Sequence, residues 1–134
     1  MPINSRTENS RSRSSTTVTV IEDDAANRRA LLRLLRSAGF ASASFCCVDE
    51  FLKSDVLSGR SCVITDVHMP GISALELPEL LKERGVDIPV IFLTADYSTA
   101  TRDRIREAGG RAYFKKPVDD QALIDMIRWT TIND

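Results

Sequence analysis

Disulfide chemistry is missing from this sequence. It holds three cysteines, Cys46, Cys47 and Cys62, an odd number with two of them adjacent, so neither a disulfide framework nor a CxxC zinc spacing is present. Such residues are expected to be small buried apolar side chains in a reducing compartment. Charge of one sign is missing too. A formal net charge of -1 leaves no overall basic field for nucleic acid and no acidic excess of the disordered kind, so this segment is not expected to bind nucleic acid directly. No apolar run approaches the ~18 residues needed to cross a bilayer, and the N-terminus lacks a signal-peptide apolar core. A soluble, cytoplasmic protein without membrane association is the expectation. What is there, 43% hydrophobic and 28% charged residues in a chain of 134, suits one globular domain with a real core.

Residues 1–15 are polar and rich in Ser and Arg, too poor in apolar surface to offset the cost of ordering. They predict a disordered tail, with the folded domain over 16–134. Thr17 to Ile21 is β-branched and reads as a first strand running into Glu22, Asp23 and Asp24. Asp24 suits the cap of a helix from Ala25 to Ala38, whose Ala30, Leu31, Leu34, Leu35 and Ala38 fall at helical spacing. Phe40 to Phe45 reads as a second strand, and Val48 to Leu57 as a second helix with Phe51, Leu52 and Val56 inward. Val63, Ile64 and Thr65 end a third strand at Asp66, followed by the turn-forming Met69-Pro70-Gly71.

Ser73 with Glu76 has the spacing of a capping box, and Pro78 then requires either a distorted first turn or a regular helix starting near Leu77. Ile88 to Leu93 is the most apolar strand, is expected to be central, and ends at Thr94. Ser98 to Ala108 is a charged helix anchored by little beyond Ala100, Ile105 and Ala108, and is expected to be the most loosely held. Ala112 to Phe114 is a short fifth strand leading into Lys115, Lys116 and Pro117, and Asp119 caps a last helix through Trp129. Strands alternating with helices imply a parallel sheet with right-handed crossovers.

A lone aspartate at a strand end is ordinarily a turn cap. Here four strand tips carry polar groups: Glu22 and Asp23, Asp66, Thr94, and Lys116 just past the fifth. In a flavodoxin-like (βα)5 fold of strand order 2-1-3-4-5 they converge at the switch point. Carboxylates bind Mg²⁺ through oxygen, lysine supplies a point charge and threonine a hydroxyl donor. That set suits phosphoryl transfer onto Asp66, since a carboxylate can serve as the nucleophile and the rest is positioning and charge neutralisation.

The acidic pair after strand 1, the Thr65-Asp66-x-x-Met69-Pro70-Gly71 run, Leu93-Thr94-Ala95 and Lys116-Pro117 together resemble the receiver domain of two-component response regulators, over about Val18 to Trp129. The resemblance implies that Asp66 is the phosphoacceptor, that Glu22, Asp23, Asp66 and the backbone carbonyl of His68 hold Mg²⁺, and that Thr94 and Lys116 contact the phosphoryl group. It also implies a switch through Thr94 and Tyr113, with His68 and Asp96 beside the path of a hydrolytic water. The partner would be a histidine kinase or phosphotransfer protein, and a homodimer would use the Ser98–Trp129 face, with Arg102, Arg106, Lys115 and Asp119 as polar contacts.

Two positions depart from the family pattern: Glu22 where aspartate is usual, and Ala74 where glycine is usual. The His68 ring is expected to face solvent. A metal-dependent phosphatase-like hydrolase wants a second acid two residues after the nucleophile, where His68 stands, and a phosphorylation-independent pseudo-receiver would lack Asp66, Thr94 or Lys116. No helix-turn-helix, hydrolase or kinase segment is read in the few residues given after Trp129. That leaves a stand-alone receiver, not an enzyme beyond its own phosphorylation and dephosphorylation, or one piece of a longer regulator, with some likeness to LuxR-type regulators.

Overall fold

The computed structural model describes residues 17–54, 61–69 and 71–132. The expected tail over 1–15 and the continuation of the second helix to Leu57, with Val56, lie outside the described residues. β1 (Thr17–Ile21), β2 (Ala41–Phe45), β3 (Ser61–Asp66), β4 (Val90–Thr94) and β5 (Ala112–Lys115) form one sheet in the order β2-β1-β3-β4-β5. Every pairing is parallel. This is the flavodoxin-like order read from the sequence. The connecting elements are α1 (Ala25–Ser37), α2 (Val48–Leu52), a 3-10 turn (Ala74–Glu76) continued by α3 (Leu77–Glu83), α4 (Thr99–Ala108) and α5 (Asp120–Ile132).

Side chains alternate across the strands with period two, and this produces two cores. Ile21, Val63, Val90 and Phe92 face Phe51, Leu77, Leu81 and Ile105 from α2, α3 and α4. Val18, Val20, Ile64 and Ile91 face Leu35 of α1 and Leu123 and Ile127 of α5. Both faces are covered, as a parallel sheet requires. The register then sets the functional edge: Ile21 stands opposite Phe45 and Thr65, Asp66 opposite Leu93, and Thr94 opposite Lys115. The strands finish nearly level, so the residues that end or follow them share one rim.

Several local expectations change. Leu35 of α1 is buried as expected, but Ala30 is exposed and Leu32 packs against the core in its stead. On α4 the buried anchors are Thr101 and Ile105, while Ala100 is exposed. Thr101 was overlooked because a hydroxyl does not register as apolar; its side chain is held by hydrogen bonds. β4 is interior and fully buried, yet the middle strand is β3. Ser73 Oγ accepts the Leu75 N–H at 3.2 Å, so it caps the 3-10 turn, and Pro78 falls in the first turn of α3 where a missing N–H has no helical partner to lose. Of the cysteines only Cys62 is buried; Cys46 is exposed and Cys47 half-buried, because both follow the edge strand β2.

Backbone requirements fix two glycines. Gly71, at φ 89°, takes the left-handed conformation that reverses the chain after β3. A Cβ on Gly110 would stand 2.5 Å from Cε2 of the buried Phe92 ring, so this glycine lets β5 close against the core.

Candidate phosphoryl and metal site

The site starts from how β1 ends. The Glu22 N–H donates to the Phe45 carbonyl at 3.1 Å, a last rung with β2, and the Arg28 guanidinium donates to the Glu22 carbonyl at 2.7 Å. Asp24 accepts the Ala26 N–H at 3.3 Å and caps α1. With its backbone clamped from both sides, Glu22 turns its carboxylate into the protein, where the residue is only 2% exposed. Oε2 accepts the Asp24 N–H at 3.1 Å and Oε1 accepts from Lys116 Nζ at 3.3 Å.

Asp66 ends β3 beside it. Its Oδ1 accepts the His68 N–H at 3.2 Å and its Oδ2 accepts from Lys116 Nζ at 2.9 Å. Lys116 is delivered across the sheet by a backbone bond from its N–H to the Thr94 carbonyl at 2.8 Å, just before the cis Lys116–Pro117 peptide. One ammonium therefore bridges two carboxylates that lie 94 and 50 residues away in sequence. A carboxylate oxygen from each of Glu22, Asp23 and Asp66 lies within 4.8 Å of the others. Among the described residues this is the one group of three or more side chains placed to hold a metal, and its donors are all oxygen, which suits a hard divalent cation such as Mg²⁺.

The electrostatics show a site short of positive charge. Burial pushes the Glu22 carboxyl above its ordinary value, and the Asp66 charge adds to that; the Asp24 N–H and Lys116 oppose it without prevailing. Burial alone would lower Lys116, but the hydrogen bond and charge of Asp66, then those of Glu22, outweigh it and hold the ammonium above the ordinary lysine range. The pair thus looks favourable from the lysine and unfavourable from Glu22. Burial of Glu22 decides that difference, because a single lysine shared by two acids cannot compensate both.

Thr94 is fully buried at the tip of β4. Its hydroxyl donates to the Asp96 carbonyl and accepts the Asp96 N–H, each at 3.0 Å, so it is engaged with its own loop. The Asp96 carboxylate accepts from Thr101 Oγ1 at 2.7 Å and from the Ser98 N–H at 3.0 Å. Those contacts, the Thr101 hydroxyl first, lower its pKa. The His68 ring is half exposed, with Nε2 4.0 Å from Asp96 Oδ2, so it points across the mouth of the site.

Tyr113 on β5 is half-buried against the α2–α4 core, and its ring lies 5.9 Å from that of Tyr97 at 50°. Tyr97 is 41% exposed, with the Arg102 guanidinium 4.9 Å and Lys115 Nζ 5.8 Å from its ring centre. Of the polar residues expected on this face, Arg102 and Lys115 stand over Tyr97, Arg106 pairs with Asp103 at 3.0 Å, and Asp119 caps α5 by accepting the Ala122 N–H at 2.8 Å. Sequence reasoning missed Arg28, which reads as one more arginine on a wet helix face, and Tyr97, which lies in a loop with no periodic pattern. A basic residue one turn into the helix after an acidic strand tip was the available signal for Arg28.

A parallel 2-1-3-4-5 sheet with acid, aspartate, threonine and lysine at successive strand tips defines a class. The Response regulator receiver domain family matches residues 18–128, and the chain belongs to that family. Among similar proteins, the transcriptional regulatory protein FixJ of Azorhizobium caulinodans is 39% identical over 111 residues, covering 83% of this chain and 53% of that protein. The transcriptional regulatory protein TdiR of Thauera aromatica is 33% identical over 111 residues, covering 83% and 49%. The response regulator StyR superposes with a TM-score of 0.79 at 36% identity over 88% of this chain and 60% of that one. FixJ-N superposes at 0.81 with 25% identity over 89% and 95%. The chain spans about half the length of the curated relatives it matches.

Proposed function

We propose that this domain is a phosphorylatable switch whose acceptor is Asp66, charged by a histidine kinase or phosphotransfer protein. The observation that carries the reading is the Asp66 carboxylate held at a strand tip, with Lys116 Nζ 2.9 Å from one oxygen and two further acids at its side. In the transfer an Asp66 oxygen forms the new bond to phosphorus, the bond from phosphorus to the donor's imidazole nitrogen breaks, and the imidazole keeps that electron pair. The His68 N–H fixes Oδ1, and Lys116 meets the incoming negative charge. Glu22, Asp23, Asp66 and the His68 backbone carbonyl would hold Mg²⁺, which when bound neutralises phosphoryl oxygens. Here Glu22 reaches with one methylene more than aspartate.

The cleft beside the site supports a docking place for the donor protein. A cleft of about 430 Å³ between α1 and the start of α5 is lined by Ala30, Leu31, Pro117, Val118 and Leu123 and opens onto Glu22 and Lys116. Its apolar walls suit the helix that would carry the donor histidine.

Output follows from Thr94. To donate to a phosphoryl oxygen its hydroxyl must leave the Asp96 carbonyl, exchanging a neutral hydrogen bond for a charge-assisted one, which is roughly twice as strong. That draws the loop between β4 and α4 inward and lets Tyr113 change its packing against Tyr97. The surface of α4, β5 and α5 is then the partner or homodimer face.

Intact mass after incubation with acetyl phosphate tests the acceptor. An Mg²⁺-dependent phosphoryl adduct is expected, absent in Asp66→Asn and reduced in Asp23→Ala; an undiminished adduct in Asp66→Asn removes the assignment. Amide hydrogen exchange with beryllofluoride tests the output, with changed protection expected between Thr94 and Phe114. Changes confined to the loop after Asp66 would refute the switch.

A further inference from the structure

We propose that Cys46 and Cys47 form a two-sulfur chelating site for a soft divalent cation of the zinc group, zinc or cadmium. Their Sγ atoms lie 4.0 Å apart, with Cys46 exposed and Cys47 half-buried. Two thiolates on one tetrahedral ion, at Zn–S of about 2.3 Å, are separated by ~3.8 Å, so the pair already stands close to the required bite. A disulfide would need the sulfurs to close to about 2.05 Å.

The backbone carrying the two sulfurs is fixed on both sides. The Phe45 carbonyl is tied to the Glu22 N–H at 3.1 Å, and the Cys47 carbonyl accepts the Phe51 N–H at 3.3 Å in the first turn of α2. Cys47 is the extended residue that enters this helix. The dipeptide is thus pinned between the end of β2 and the start of α2. The neighbouring Cys47 sulfur pushes the Cys46 thiol above its ordinary value. Binding forms two metal–sulfur bonds and releases both thiol protons to solvent, with no electron transferred. Among the described residues the only group of three or more metal-ligating side chains is the carboxylate trio, so water completes the coordination. The hard oxygen site and the soft sulfur site are separated in chemistry.

Cadmium titration of the reduced protein, with Mg²⁺ in large excess to occupy the carboxylates, tests this through the ultraviolet sulfur-to-metal charge-transfer band. One ion per chain is expected, with affinity falling roughly tenfold or more in Cys46→Ser and in Cys47→Ser. Cys62→Ser, which alters a buried sulfur, should leave the band unchanged once circular dichroism shows the variant folded. Absence of the band, its survival at unchanged affinity in either single variant, or a stoichiometry of one ion per two chains would overturn the proposal.

Discussion

Replacing Lys116 by methionine keeps most of the side chain's packing and removes its charge. The ammonium lies 2.9 Å from Asp66 and 3.3 Å from Glu22, and the side chains are 25%, 13% and 2% exposed. Breaking a fully buried pair by removing one partner costs about 3–5 kcal/mol, because the other charge stays buried and unpaired. The quarter exposure of Lys116 admits solvent screening, which reduces the expected loss to about 2–3 kcal/mol. With a urea slope of about 1–3 kcal/mol per molar, the midpoint in EDTA should fall by roughly 1–2 M. Mg²⁺ should then stabilise the variant more than the wild type, since the cation no longer competes with an ammonium for the same oxygens. Both proteins gain from the metal, so the deficit narrows only by the difference in affinity, about 1.4 kcal/mol for each tenfold by which the variant binds more tightly. A midpoint within about 0.2 M of wild type in EDTA, or equal stabilisation of both proteins by Mg²⁺, would refute this account of the site.

Glu22→Gln should stabilise the metal-free protein at neutral pH. Because the folded-state pKa of Glu22 lies above its ordinary 4.5, its contribution favours the native state below that value and is lost as pH rises through the folded pKa. The urea-midpoint advantage of the variant should therefore grow upward from about that pH, and a constant advantage would contradict the burial argument. Gly110→Ala should cost about 1–3 kcal/mol by urea melting through its clash with Phe92, and Phe92→Leu in the same chain should recover part of it. The lifetime of the phosphoryl group should change in Asp96→Ala and in His68→Ala, whose side chains meet across the mouth of the site at 4.0 Å. Equal dephosphorylation rates in wild type and both variants would exclude control from that position.

Strand order and the four polar tips were legible in the sequence, because strand-like runs alternating with helical stripes admit few topologies and every run but the second led into a charged or hydroxyl residue. Contacts made by backbone geometry were not. Nothing in the residue pattern says that Thr94 would turn its hydroxyl to the Asp96 backbone, since that depends on a loop conformation set by the Ser98 and Thr101 contacts. Pro78 shows an intermediate case. Its chemistry narrows the helix start to two options, and the packing of Leu77 and Leu81 into the core selects the later one. Cys62 is buried as expected, while Cys46 and Cys47 were misread for a related reason: composition predicts burial on average, whereas their exposure follows from their position past the edge strand.

The span of the Lys116–Glu22 contact, 94 residues, carries a consequence for kinetics. Loop closure over that length contributes nothing until the sheet between its ends exists, so the ammonium reaches the acids late on the folding route. An interaction absent from the transition state acts on the unfolding rate and leaves the folding rate almost untouched. An ion held by the carboxylates would belong to the same late set. Loss of the lysine contact should therefore shorten the lifetime of the folded molecule, while the speed at which a new one forms stays with the apolar strands.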